Sequence, residues 1–161
     1  MKFFAIISVL ILILTLVCVV SLYMTSNVTV EPAGVTVASA ADSPVLFAEL
    51  TEQVRLGSVV GTPFVDAREL GSAEDYRFIT YTVTIHNKTR IPAELAEMQI
   101  SPVAGMDILQ IGSFEEVTVP AHGSATVTAT ILTTASSTSG QSATITYYMW
   151  GVPFTLKTRF Q

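Results

Sequence analysis

Apolar and polar residues change their spacing several times along this 161-residue chain. From Phe3 to Met24 there is no alternation: 22 residues carry no charge, and Ser8, Thr15 and Ser21 are the polar interruptions. A run that is apolar all round predicts a helix with no face reserved for water. At 1.5 Å per residue it is roughly 33 Å long, enough to cross a hydrocarbon core of about 30 Å. From Thr25 to Pro44 the residues turn small and β-branched, with Pro32, Gly34 and a run of Ala and Ser from Ala38 to Ser43. This stretch is expected to be a mostly extended stalk. The alternative makes Val28–Val30 and Val35–Val37 two strands around the turn Glu31-Pro32-Ala33-Gly34.

Leu46, Phe47, Leu50 and Val54 then recur at helical spacing. Ser43 can cap, Pro44 suits the first helical position and Gly57 suits the end, so one short helix is expected, with a strand as the alternative. Residues 58–76 read as acidic connecting structure. After Tyr76 the period becomes 2. Ile79, Tyr81, Val83 and Ile85 alternate with threonines and His86, and Asn87-Lys88-Thr89 breaks the run. An extended segment from Ile91 to Pro102 follows. Ala125, Val127, Ala129 and Ile131 alternate again, as do Ala143, Ile145, Tyr147 and Met149, and then Val152, Phe154, Leu156, Thr158 and Phe160. Pro153 places that last strand at an edge or a bulge. Short Thr- and Val-rich strands without repeated helices between them predict a mainly β, antiparallel sandwich with one wet face per sheet.

Residues 81–87 (Tyr-Thr-Val-Thr-Ile-His-Asn), Pro92-Ala93-Glu94 and residues 117–127 (Val-Thr-Val-Pro-Ala-His-Gly-Ser-Ala-Thr-Val) resemble bacterial and archaeal surface immunoglobulin-like modules. Those modules pair a strand ending in Asn with a later Pro-x-x-Gly-Ser/Thr turn that opens an alternating strand. The resemblance spans roughly residues 77–132. It implies an immunoglobulin-like β-sandwich and no catalytic residue; the Cys…Trp…Cys core of antibody domains is missing. The expected division is a transmembrane anchor over 1–24, the stalk over 25–44 and the sandwich over 45–161.

Lys2 is the charge before the apolar run, and the first basic residue after it is Arg55, which places the N-terminus in the cytoplasm and the rest outside. A cleaved signal peptide would have a shorter apolar core of about 7–15 residues and a nearby small-residue site. The A-x-A match, Ala38-Ser39-Ala40, lies well beyond the run, so an uncleaved signal anchor is expected, with cleavage after Ala40 as the alternative. Thr15-Leu16-Val17 before Cys18 is a poor lipobox, and no Glu near the start suggests a pilin-like helix. Cys18 is the chain's single cysteine, so the exported part has neither disulfides nor a cysteine zinc site.

Composition adds two restrictions. Hydrophobic residues make up 50% and charged residues 13%, with a mean hydropathy of +0.54, and the apolar run explains most of that excess. Net charge is −5, and −6 once Lys2 is set aside, which argues against a basic nucleic-acid-binding surface.

Candidate chemistry is sparse. His86 and His122, the two histidines, are expected on a strand face and in a turn; a triad with Asp107 has no G-x-S-x-G element behind it. Asp66, Glu69, Glu74, Asp75, Glu115 and Glu116 offer oxygen ligands without a calcium-loop pattern. Asn27-Val28-Thr29 and Asn87-Lys88-Thr89 match the glycosylation sequon and read as chance. Tyr147, Tyr148, Trp150 and Phe154 form the densest aromatic cluster, with Tyr147 on one face and Tyr148 and Trp150 on the other. Trp150 is expected to pack against the helix or a loop; if the domain has a recognition surface, Tyr148 and Trp150 are its residues.

The expectation is a non-enzymatic, single-pass protein of the cell membrane, held through residues 3–24, whose outer domain has a structural or binding role toward a protein or cell-envelope partner. No cofactor, metal or nucleic acid is expected. An accessory subunit of a membrane assembly, a secreted domain and a small extracytoplasmic hydrolase are the alternatives.

Overall fold

The computed structural model describes residues 2–25, 27–57, 70–101, 108–111, 116–134 and 141–160. Helix α1 (Lys2–Thr25) comes first. Among the described residues it is the one helix long and apolar enough to cross a membrane, over Phe3–Ser21, and none of that stretch is buried. The described strands form two antiparallel four-stranded sheets. One has the order β1 (Val28–Ser39), β2 (Tyr76–Asn87), β6 (Ser124–Thr134), β4 (Ile108–Ile111). The other runs β5 (Val117–Val119), β3 (Ala93–Ser101), β7 (Ser142–Met149), β8 (Val152–Arg159). Helix α2 (Pro44–Arg55) lies between β1 and β2 in the chain, with Pro44 in its first turn and Gly57 just past its end at a left-handed φ of 66°.

Residues 25–44 are not a stalk, nor are they a hairpin. Residues 28–39 form one long edge strand, β1, paired with β2 from Val28 opposite Asn87 to Ser39 opposite Arg77. The register slips between Pro32 and Gly34, where Pro32 removes a donor and a bulge absorbs the defect. The β-branched residues thus find their backbone partners some fifty positions later in the chain, in a strand that local turn chemistry could not reveal. The sandwich accordingly starts at Val28 rather than at residue 45.

Between the sheets, Ile79, Tyr81, Val83 and Ile85 meet Ile131, Ile100, Ile145, Tyr147 and Met149, all buried. Tyr81 packs on Phe160 with ring centroids 4.6 Å apart, and Tyr147 stacks on Phe154 at 5.5 Å. A second cluster lies on the outer side of the first sheet, where Phe47 and Leu50 of α2 cover Phe78, Leu109 and Leu132. Phe78 and Leu132 face each other across β2 and β6 and have the opposite parity to Ile79 and Ile131. The apolar doublets Phe78-Ile79 and Ile131-Leu132 therefore mark where both faces of the sheet are covered. Below α2 the same outer face carries threonines at every second position, and Thr80 Oγ1 lies 2.9 Å from Thr130 Oγ1. Pro153 sits in β8, an edge strand, as its missing N–H requires.

Among the described residues the buried Tyr81 hydroxyl has no hydrogen-bond partner, and burial pushes the phenol above its ordinary range against a weaker pull from the Arg77 charge. A folded-state value above the unfolded one keeps its stabilising effect below about pH 10 and loses it as pH rises further. Urea midpoints of the full chain in detergent are therefore expected to fall as pH rises from about 9 to about 11. In Tyr81→Phe that fall should flatten, with a change of less than about 1 kcal/mol at neutral pH because an orphaned hydroxyl is removed. An unchanged pH profile in Tyr81→Phe would assign the alkaline loss to other groups.

Candidate functional site

Strand directions bring separated segments to one end of the sandwich. β2, β5 and β7 end where β1, β3, β6 and β8 begin, since Val28 pairs with Asn87, His86 with Ser124, Ala93 with Val119 and Met149 with Val152. This is also the end from which α1 departs: α1 stops at Thr25 and β1 starts at Val28. Three residue steps reach at most about 11 Å. The helix-proximal end therefore consists of Asn27, the loop 88–92, the turn 120–123 and the hairpin tip Trp150-Gly151.

Asn87 ties these segments together. Its side chain is 1% exposed. Nδ2 donates to the Ile91 carbonyl at 2.8 Å and to the Val119 carbonyl at 3.3 Å. Oδ1 accepts from the Thr89 N–H at 3.0 Å and from the Thr89 hydroxyl at 2.7 Å. The sequon spacing of Asn87 and Thr89 is thus the spacing of an Asx turn, in which the amide is fully used. Backbone bonds add to this: Lys88 N–H donates to Asn27 O at 3.0 Å and His122 N–H to Thr89 O at 3.0 Å. The turn 120–123 closes with Gly123 N–H on Pro120 O at 3.1 Å. A Cβ on Gly123 would lie 2.6 Å from Pro120 Cγ, so this close approach requires glycine.

The hairpin tip is strained. Trp150 has φ 51° and Gly151 φ 74°, positive at both central residues as a two-residue type I′ turn demands. Asn or Asp is the usual occupant of the first position, and a bulky side chain held there costs about 1–2 kcal/mol. Trp150 is nevertheless 72% exposed. The expectation that it packs against the helix or a loop is corrected: the turn lifts it out of the alternation of β7 and points it away from both cores. Tyr148 is half-buried on the outward side of β7, opposite Glu94 and Pro153. Leu95, in the bulge beside that pair, also has a left-handed φ of 51° and is 44% exposed.

His86 and His122, far apart in sequence, line one shallow open groove with Asn87, Lys88, Gly123 and Ser124. His86 Nε2 lies 3.6 Å from Glu31 Oε2. Asp107 lies outside the described residues, as do Asp66, Glu69 and Glu115. Glu74 and Asp75 sit at the opposite end, at the start of β2. Among the described residues no three His, Cys, Asp or Glu side chains converge as metal ligands.

Lys88 and Arg90, both exposed, were not singled out by sequence reasoning. Their signal is a Lys-x-Arg pair between a strand-ending Asn and a Pro, and it acquires meaning only once strand pairing brings it to the same end as Trp150. The four helix-proximal segments contain these two cations and no carboxylate; Glu94, Glu31 and Glu116 are the nearest acids along the chain.

No protein-family model matches the chain, and no curated protein matches it in sequence. Among solved structures it is similar to a FixG-related protein from Vibrio parahaemolyticus, at 11% identity over 84% of this chain and 94% of that one, with a TM-score of 0.35. It is also similar to the cupredoxin domain of amoB from Nitrosocaldus yellowstonii, at 12% identity over 84% of this chain and 87% of that one, with a TM-score of 0.33.

Proposed function

We propose that the chain is a single-pass membrane protein that presents an immunoglobulin-like β-sandwich outside the cell, with a structural or binding role toward a protein or envelope partner and no catalysis. The observation that carries this reading is the independence of the two parts. The apolar helix is exposed throughout Phe3–Ser21, and neither core cluster takes a residue from it. A helix that soluble packing leaves bare has lipid as its remaining apolar solvent.

The strand order supports the immunoglobulin-like assignment. β1-β2-β6-β4 follows the A-B-E-D order of such sandwiches, and β8-β7-β3 follows G-F-C, with β5 added beside β3. The crossing to β5 between β4 and β6 departs from the usual pattern. Cleavage after Ala40 is disfavoured, because it would strip β1 from the sheet and cut beside Ala40, which is wholly buried.

Topology is tested in a Cys18→Ser background. A membrane-impermeant maleimide on intact cells is expected to label Thr155→Cys, an exposed site on β8, and to leave Lys2→Cys unlabelled. The reverse labelling would invert the orientation. A mature product beginning at Ala41 would replace the anchor by a secreted domain.

A further inference from the structure

We propose that the helix-proximal end of the sandwich docks on the bilayer that holds α1, with Trp150 entering the interfacial layer and Lys88 and Arg90 facing anionic lipid phosphates. This rests on the membrane-anchor reading and adds to it a fixed posture for the domain. Three observations carry it. The link from Thr25 to Val28 is too short to lift this end more than about 11 Å from the helix terminus. The chain's one tryptophan sits at that same end, 72% exposed, in a backbone conformation that suits Asn better. A strained, exposed aromatic is a feature the fold does not need, and Trp is the residue favoured at a membrane–water interface. Finally, the loop 88–92 at this end carries Lys88 and Arg90 and no carboxylate, in a chain whose net charge is −5; Glu94, exposed opposite Tyr148, and Glu31, beside His86, are the acids that flank this end.

The two kinds of residue divide the work. An indole buries its ring among upper acyl chains and keeps its N–H among headgroups. Lys and Arg at the same level gain from the negative surface potential within a Debye length. Leu95, exposed in its bulge, adds apolar surface near Tyr148. Because the β7–β8 hairpin is rigid and the Asn87 network holds loop 88–92, insertion of Trp150 sets the tilt of the whole sandwich on the membrane.

The single tryptophan makes the test direct. The full chain is placed in nanodiscs of phosphatidylcholine with or without phosphatidylglycerol, and Trp150 emission is recorded with ordinary and with brominated lipids. The expected result is a blue-shifted emission that bromine quenches, more strongly with phosphatidylglycerol. In Lys88→Gln and Arg90→Gln the docked-to-undocked ratio on anionic nanodiscs should fall about fivefold per cation lost. Trypsin cleavage after Lys88 and Arg90 should be slowed in nanodiscs of the unaltered chain and restored in Trp150→Asn. That variant is expected to keep or raise its urea midpoint, which separates loss of docking from loss of folding. Incorporation with water-like, unquenched emission would overturn the docking alone and leave this end open to a protein partner. Failure of the chain to enter nanodiscs at all would overturn the anchor reading and the docking together.

Discussion

Replacing Asn87 by alanine is expected to destabilise the domain by about 2–4 kcal/mol, among the largest effects of any single polar substitution. The side chain is 1% exposed and uses both N–H donors and its carbonyl oxygen. Alanine removes the partner of the Val119 carbonyl and of the Thr89 amide inside the protein, where water does not replace them at equal gain. The loop 88–92 and the end of β5 lose their common tether at once. Asn87→Asp keeps the two bonds that Oδ1 accepts but turns a charged oxygen toward the Ile91 and Val119 carbonyls, so it should cost at least as much at neutral pH. With a urea slope of roughly 1–2 kcal/mol per molar, the midpoint of Asn87→Ala should fall by about 2 M. A shift below about 0.5 M would mean that the loop relaxes into solvent and that the network is not a stability determinant.

Gln110→Leu is the second large case, at about 2–4 kcal/mol. Gln110 lies on β4 at the edge of one sheet, yet its amide reaches β3 of the other. Oε1 accepts from the Ile100 N–H at 2.9 Å, and Nε2 donates to the Met98 carbonyl at 2.8 Å. These groups lie on β3 beyond the short β5 pairing, which stops at Ala96. The side-chain amide thus stands in for the next residue of a missing strand and joins the two sheets. Leucine preserves much of the volume and orphans both backbone groups. Gln110→Glu gives a second reading, since a buried carboxylate facing the Met98 carbonyl favours its protonated form. Its folded value is raised, so stability is present below the unfolded value of about 4.3 and is lost as pH rises. The Glu variant should therefore regain part of its urea midpoint toward pH 4, about where that group protonates, while the Leu variant should not. Parallel pH profiles for the two would remove the hydrogen-bond explanation.

Much of the architecture was legible in local pattern. Tyr81, Val83 and Ile85 alternate because one face of β2 is buried, and they pack in the core as expected. Pro44 and Gly57 bracket α2 because each removes a conformational cost at its own end of a helix. Pro153 lies on an edge strand for want of an N–H. The fate of Val28–Ser39 was not legible: an edge strand interrupted by Pro32 and Gly34 resembles an extended linker or a hairpin until its partner arrives. The helix-proximal end was hidden for a related reason. His86, Lys88, His122 and Trp150 read as unrelated surface residues, and no spacing rule connects loops that meet only through antiparallel pairing.

Composition and periodicity were enough to establish an apolar helix of membrane length ahead of a Thr-rich β-sandwich, because solvent partition and the pleat act on neighbours within a few positions. Pairing of β1 with β2, the amide bridges of Asn87 and Gln110, and the placement of Trp150, Lys88 and Arg90 at the end of the sandwich where α1 joins depend on strand order. Strand order joins residues tens of positions apart, and it is decided by which buried faces and backbone groups can be satisfied together.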